Sequence, residues 1–130
     1  NLTGTSGGAN YALYAEFDNI GGLKVKAPIK SSGAVVGRVT GIELNPQNYR
    51  AHVSLALDSK FQFSRDTSAE ILTAGLLGEQ YIGLTQGGDE EVLKSGDRVA
   101  LTSSAMVLEQ LIGKFMTSMA EKPASPNTSK

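Results

Sequence analysis

Few residues of this sequence have the side chains or the spacing that catalysis and metal binding require. The 130 residues include no cysteine, which excludes disulfides, thiolate metal sites and cysteine nucleophiles. The single histidine, His52, lies on the polar face of an alternating segment, where a solvated histidine is far more common than a general base. The acidic run Asp89-Glu90-Glu91 lacks the regular ligand spacing of a calcium loop. We therefore predict no enzyme, no metal site and no cofactor.

Nucleotide and nucleic-acid binding also lack their sequence signatures. No Gly-x-Ser-x-Gly motif places a serine for nucleophilic attack, and the glycine-rich residues 33–38 lack the Lys-Ser/Thr of a phosphate loop. The formal net charge is −1, and the lysines and arginines are scattered singly. Binding to a phosphate backbone needs a clustered basic surface, so we expect no nucleic-acid partner.

The most unusual feature is an apolar turn. Leu76 and Leu77 stand between Gly75 and Gly78, with strand-like sequence on both sides. Turns normally contain polar residues, glycine and proline because they face water. Two leucines at such a bend need an apolar neighbour, which could be the domain's own core, another subunit or a lipid-like ligand.

Short segments of alternating hydrophobicity recur along the chain between turn sequences. The clearest is 51–58, where apolar Ala51, Val53, Leu55 and Leu57 share one face. Gly21 and Gly22 mark one of the turns. We predict strands at 11–17, 51–58, 69–73, 80–85 and 98–102, and two short strands with bends or bulges between 28 and 44. Regularly spaced short strands predict an all-β barrel or sandwich.

Residues 105–120 change to helical periodicity. The apolar stripe of this predicted helix consists of Leu108, Leu111, Ile112, Phe115 and Met119. Burying each such side chain contributes about 1.5–3 kcal/mol, so the stripe needs an apolar partner. Either the helix folds back on its own barrel, or several copies associate around an axis. Residues 1–9 are predicted to be a flexible linker, and residues 121–130 a disordered tail.

Several separated blocks resemble the signature of the MCE (mammalian cell entry) domain family. They are FDNIGGLK (17–24), Pro28, GAVVGRV (33–39), GLLGEQY (75–81) and SAMVLE (104–109). The blocks occur in the family's order and extend over about residues 10–118. Within the family they are most similar to a subunit of bacterial phospholipid transporters.

The resemblance implies a seven-stranded β-barrel at 10–104 followed by the amphipathic helix. Such subunits form homohexameric rings in the periplasm, each anchored in the inner membrane by an N-terminal helix, which we expect to be missing upstream of residue 1. The ring sits on an ABC permease and ATPase and exchanges phospholipid with a soluble periplasmic carrier. This exchange supports outer-membrane lipid asymmetry, with bound phospholipid as the transported ligand.

The resemblance also implies roles for particular residues. Leu76 and Leu77 would line a central pore, and the apolar stripe of the helix would extend it as a tube. Gly75, Gly78, Gly21 and Gly22 would shape the structural turns. The resemblance favours helix self-association; the alternative is a monomeric barrel that binds a protein partner, with the helix packed on its own barrel.

Overall fold

The computed structural model of the chain describes residues 9–104, and none of these residues is helical. The eight strands are β1 (Asn10–Phe17), β2 (Pro28–Ser31), β3 (Ala34–Leu44), β4 (Ala51–Asp58), β5 (Ser68–Thr73), β6 (Gln80–Thr85), β7 (Arg98–Val99) and β8 (Leu101–Ser103). The helix predicted at 105–120, the tail at 121–130 and most of the linker at 1–9 lie outside the described residues. Between residues 9 and 104, no helix is long and apolar enough to cross a bilayer.

The strands form a nearly closed barrel. Their order in the sheet is β7-β1-β4-β3-β2-β6-β5-β8. At its two edges, β7 pairs in parallel with β1 and β8 pairs in parallel with β5. Because only Ala100 separates β7 from β8, this last segment joins the two edges of the sheet. Of the two architectures predicted from the sequence, the barrel is therefore confirmed.

The last predicted strand is interrupted. The sequence predicted one strand at 98–102, and the resemblance implied seven strands in all, whereas residues 9–104 form eight. The extra strand arises because the segment changes its pairing partner at Ala100, from β1 before it to β5 after it. One closing segment is thus divided into two short strands.

Alternating apolar side chains fill the barrel, as the sequence predicted. In β4, Val53, Leu55 and Leu57 are buried and Ala51 is half-buried. The largest fully buried apolar side chains are Phe17, Leu13, Ile29, Leu55, Leu57, Ile82, Val39, Val53 and Val99. Each contributes about 1.5–3 kcal/mol on burial, so this core stabilises the barrel that carries the turns.

The two strands predicted between residues 28 and 44 are present, but β3 is not short. It runs for 11 residues, and the predicted irregularities are register shifts after Ile29 and between Val39 and Gly41. Gly37 is required by close packing instead, because a Cβ there would lie 2.2 Å from the carbonyl oxygen of Ala56 on β4. The glycines therefore allow a long strand to bend rather than ending it.

Strand directions bring several loops to one end of the barrel. β1, β3, β5 and β8 run in the same direction, because β7 and β8 are parallel to β1 and β5, and β4 is antiparallel to both β1 and β3. These strands lead into the loop 18–27, the turn 45–50, the turn 74–79 and Ser104 at one end, called here the Leu76 end. Ala9 lies at the opposite end, where its carbonyl accepts a hydrogen bond from the Ser59 amide at 2.9 Å.

Candidate functional site

The turn with the two leucines closes the β5–β6 hairpin. Thr73 and Gln80 form the last pair of the ladder, and beyond them the amide of Ala74 donates to the carbonyl of Glu79 at 3.0 Å. The Gln80 Nε2 also donates to the Thr73 hydroxyl at 3.3 Å. The base of the turn is thus fixed by backbone and side-chain hydrogen bonds.

The two glycines of the turn serve different purposes. Gly75 has a φ of 70°, in the left-handed region that glycine adopts without steric cost. Gly78 is needed for space, because a Cβ there would lie 1.8 Å from the carbonyl oxygen of Ala74. Together they allow a tight bend in which the two intervening side chains point away from the barrel.

Leu76 and Leu77 lie almost entirely in water in the isolated chain. Their exposed fractions are 76% and 82%, the highest among the exposed large hydrophobic side chains of the described region. Of the three apolar neighbours considered from the sequence, the core formed within residues 9–104 is therefore ruled out. An exposed apolar pair on a hydrogen-bonded base is typical of a surface that binds another subunit or an apolar ligand.

The structure brings a second predicted turn against the base of this one. Gly21 has a φ of 61°, and its amide donates to the side-chain oxygen of Asn19 at 2.8 Å. The amide of Gly22 donates to Oε1 of Gln80, which directly follows the turn 74–79. Two turns that the sequence marked separately are therefore parts of one assembly at the Leu76 end.

The chain also leaves the described region at this end. Ser103 pairs with Glu70 on β5, in parallel register. The next residue, Ser104, accepts hydrogen bonds through its hydroxyl oxygen from the amides of Asp18 and Asn19 at 2.9 and 3.1 Å. The predicted pore-helix residues (Leu108, Leu111, Ile112, Phe115 and Met119) lie beyond the described residues, and the chain enters that segment beside β5.

A buried carboxylate that the sequence did not reveal supports the same end. Glu16 is only 6% exposed, and its oxygens accept hydrogen bonds from Asn45 Nδ2 at 3.2 Å and Asn48 Nδ2 at 3.3 Å. The Nη1 atoms of Arg50 and Arg98 each lie 3.9 Å from its Oε1. Strand alternation places Glu16 on the outer face, and no local signal predicts that the turn 45–50 covers it.

His52 belongs to the same cluster. Its Nδ1 lies 3.2 Å from Glu16 Oε2, and its ring stacks on Tyr14 with a centroid separation of 5.2 Å. His52 lies on the outward face of β4, as the sequence predicted, but these contacts leave its side chain only 34% exposed rather than fully solvated. Hydrogen bonds from Asn45, then His52 and Asn48, outweigh partial burial and lower the pKa of Glu16 below its ordinary value of 4.5.

The acidic run at 89–91 lies at the opposite end of the barrel. Asp66 accepts hydrogen bonds there from the amides of Gly88 and Asp89 at 3.0 and 3.1 Å. The Ser64 hydroxyl, followed by these two amides, lowers the pKa of Asp66 below 3.8. Among the residues that the structure describes, no three histidine or acidic side chains are grouped so that they could hold a metal ion.

Comparison with known proteins gives this arrangement a family context. A sequence model described as MlaD protein matches residues 9–87. The chain belongs to the MlaD family. It is 48% identical over 120 residues to the intermembrane phospholipid transport system binding protein MlaD of Haemophilus influenzae, a match that covers 89% of this chain and 72% of the relative.

A second curated relative and a chain of a solved complex are also similar to this chain. The protein of that name from Escherichia coli K12 is 46% identical over 122 residues, covering 89% of this chain and 67% of the relative. A chain of the Acinetobacter MlaFEDB complex in its ATP-bound Vtrans1 conformation superposes with a TM-score of 0.79. It is 29% identical, and the match covers 88% of this chain and 85% of that chain. The expected membership of the MCE domain family is confirmed.

Proposed function

We propose that this chain is the phospholipid-binding subunit of an inner-membrane ABC lipid transporter. The observation that carries the proposal is the exposed pair Leu76–Leu77 on a hydrogen-bonded base. The names of the relatives support phospholipid as the ligand, and the Acinetobacter complex supports transporter subunits as partners. Their names describe a binding protein of a transport system, which agrees with a role other than catalysis.

In this proposal, identical subunits form a hexameric ring through head-to-tail contacts. A closed ring of this type has a central axis, and each subunit places its Leu76 and Leu77 there. The apolar helix predicted at 105–120 extends this surface as a tube along the axis. Its position agrees with the path of the chain, which leaves β8 at the Leu76 end beside β5.

The apolar turn lowers the cost of moving a lipid through water. Transfer of each CH₂ group out of water is worth about 0.8 kcal/mol, so an acyl chain needs a continuous apolar path. The leucines provide this contact, whereas water-soluble solutes gain nothing from it. An ATPase and a permease supply the energy and the membrane pathway, and a soluble periplasmic carrier receives or delivers the lipid.

The proposal also gives the chain a location and a physiological role. An N-terminal helix anchors the protein in the inner membrane, and the barrel lies in the periplasm. Ala9 and Ser104 lie at opposite ends of the barrel, which supports an anchor on the side away from the Leu76 end. Exchange of phospholipid between the membrane and the carrier maintains outer-membrane lipid asymmetry.

Replacing both leucines tests the proposed role of the turn. We expect Leu76→Asp with Leu77→Asp to leave the thermal unfolding temperature nearly unchanged, because both side chains are already exposed. Transfer of fluorescent phospholipid to a carrier should fall by at least about tenfold, since charge at the turn breaks the apolar path.

Leu44→Asp is the matched control for this variant. Leu44 is also an exposed leucine at the Leu76 end, with an exposed fraction of 61%, but it lies at the end of β3. The control should transfer lipid at the original rate. Undiminished transfer by the double variant would remove the turn from the lipid pathway.

A further inference from the structure

Four cations that are scattered along the sequence lie on neighbouring segments, namely β2, β3 and the loop 18–27 that leads into β2. Lys24 and Lys26 are exposed in the loop 18–27, and Arg38 Nη1 donates to the carbonyl oxygen of Lys26 at 3.3 Å. Arg38 pairs with Pro28 on β2, and Lys30 follows two residues later on that strand. The fold thus brings together the segments that carry these four cations, which are called here the cationic face.

Within residues 9–104, no carboxylate forms a direct ion pair with these four side chains. The ion pairs of that region involve other cationic side chains, namely Arg50, His52, Arg65 and Arg98. Lys30 lies over the ring of Tyr81, with Nζ 4.8 Å from the centroid. Neighbouring like charges repel one another, so an anion bound at the cationic face would relieve this repulsion.

The backbone holds two of the cations beside each other. Lys26 has a φ of 79°, in a region that non-glycine residues seldom adopt. Its amide donates to the carbonyl of Val39 at 2.7 Å, while its own carbonyl accepts from Arg38. Such a conformation persists only where its surroundings fix it, and it is found preferentially at binding sites.

The cationic face adjoins the apolar turn. The hydrogen bond from Gly22 to Gln80 joins the loop that carries Lys24 and Lys26 to the strand that follows the turn. Val25, between the two lysines, is itself 48% exposed. The Leu76 end therefore presents apolar side chains and unneutralised cations on neighbouring segments, a pattern complementary to an amphiphile with an anionic head.

We propose that the cationic face binds the phosphate of phospholipid headgroups, while Leu76 and Leu77 contact the acyl chains. Lysine and arginine form charge-assisted hydrogen bonds with phosphate oxygens, and basic clusters bind anionic lipid surfaces. This inference rests on the proposed function, because it supposes that lipid reaches the turn. The same phosphate chemistry serves a single transported lipid or the surface of a membrane.

A charge-reversal pair tests the inference on the full chain. The first variant combines Lys24→Glu with Lys26→Glu. The matched control combines Lys60→Glu with Lys94→Glu, which changes the net charge equally at two exposed lysines outside the cationic face. The probes are monomeric short-chain phosphatidylglycerol, diacylglycerol of the same chain length, and vesicles of equal parts phosphatidylglycerol and phosphatidylcholine.

We expect the first variant to bind phosphatidylglycerol at least about tenfold more weakly, with unchanged binding of diacylglycerol. The control should bind all probes as the unchanged chain does. A loss with monomeric lipid identifies the transported lipid as the source of the phosphate, and a loss confined to vesicles identifies the membrane surface. Lys24→Gln with Lys26→Gln should weaken binding in the same direction and guards against unfolding caused by charge reversal.

Two results would overturn the inference. If the control loses phosphatidylglycerol binding to the same extent, the effect is due to net charge. If the first variant binds phosphatidylglycerol fully, the cationic face binds no phosphate, and an acidic protein becomes the remaining candidate for its partner. A different result would count against the proposed function: an unchanged chain that binds none of the three probes. The leucine variant gives an independent result. If Leu76→Asp with Leu77→Asp abolishes the binding of diacylglycerol, the proposed function is upheld whatever the lysine variants show.

Discussion

Gly78 lies where the chain has no room for a side chain, and next to it Leu77 extends into water. A Cβ on Gly78 would lie 1.8 Å from the Ala74 carbonyl oxygen, whereas Leu77 is 82% exposed. The tight backbone at Gly78 is what presents the leucines. Exposure of Leu76 and Leu77 therefore depends on Gly78, although Gly78 has no side chain to contribute to the apolar surface.

Gly78→Ala should consequently disturb the turn without touching the leucines. We expect it to lower the free energy of unfolding by about 1–3 kcal/mol, because the added methyl group must displace backbone. Urea unfolding measures this change. Gly88→Ala is the control, since a Cβ at Gly88 has no atom within 4 Å, and it should be nearly neutral. Equal effects of the two substitutions would show that the close approach at Gly78 does not constrain the turn.

Among the elements, the Glu16 cluster connects the end of β1 to the turn 45–50, β4 and β7. The carboxylate accepts from Asn45 and Asn48 in the turn and lies 3.2 Å from His52 on β4. The carbonyl of Glu16 also accepts from the Thr102 hydroxyl at 2.8 Å. One side chain and its backbone thus hold together several elements at the Leu76 end.

This cluster should make stability depend on pH. The pKa of Glu16 lies below 4.5 in the folded chain, so the unfolded chain binds more protons in the acidic range. The stabilisation is present above pH 4.5, the ordinary value, and is lost as the pH falls through the folded pKa. We expect Glu16→Gln to be less stable at neutral pH and to lose less stability on acidification.

Urea unfolding between about pH 7 and pH 3 measures this difference in slope. Asp66 is a separate contributor with a lowered pKa, and its share of the acid sensitivity should remain in the variant. Glu90→Gln, at an exposed acidic side chain, serves as the control and should follow the unchanged chain. Parallel curves for Glu16→Gln and the unchanged chain would contradict the role given to the cluster.

The elements differ in how well the sequence predicted them. β4 was predicted with its observed bounds, because a half-buried strand imposes strict alternation on its side chains. β3 was predicted too short because its glycines suggested breaks. Gly37 is instead required because β4 packs too closely against it to leave room for a side chain. The change of pairing strand at Ala100, from β1 to β5, depends on closure of the barrel, which no local sequence pattern predicts.

The candidate site was predicted in part. Leu76 and Leu77 were singled out from the sequence because apolar residues at a turn conflict with ordinary turn composition, and the structure shows that both are exposed. The burial of Glu16 and the gathering of Lys24, Lys26, Lys30 and Arg38 were not, since both depend on contacts between distant segments. An unusual turn composition can be recognised within one segment of sequence. Which charged side chains lie near one another can be known only from the folded structure.

For the whole molecule, the proposed ring explains why a stable barrel leaves its most apolar turn in water. Proteins of this size are stable by only about 5–15 kcal/mol, and the leucines contribute little to that in the isolated chain. Head-to-tail association would gather the turns on one axis, where they contact one another or lipid. In this account, the exposed turn of one subunit becomes part of an apolar surface that forms only when the ring assembles.

The mass of the purified full chain, measured by light scattering together with extraction and identification of bound lipid, tests this account most directly. We predict a particle of six subunits from which organic solvent releases phospholipid. The same measurement on Leu76→Asp with Leu77→Asp should give the same mass with much less lipid. A lipid-free monomer at tens of micromolar would contradict the account.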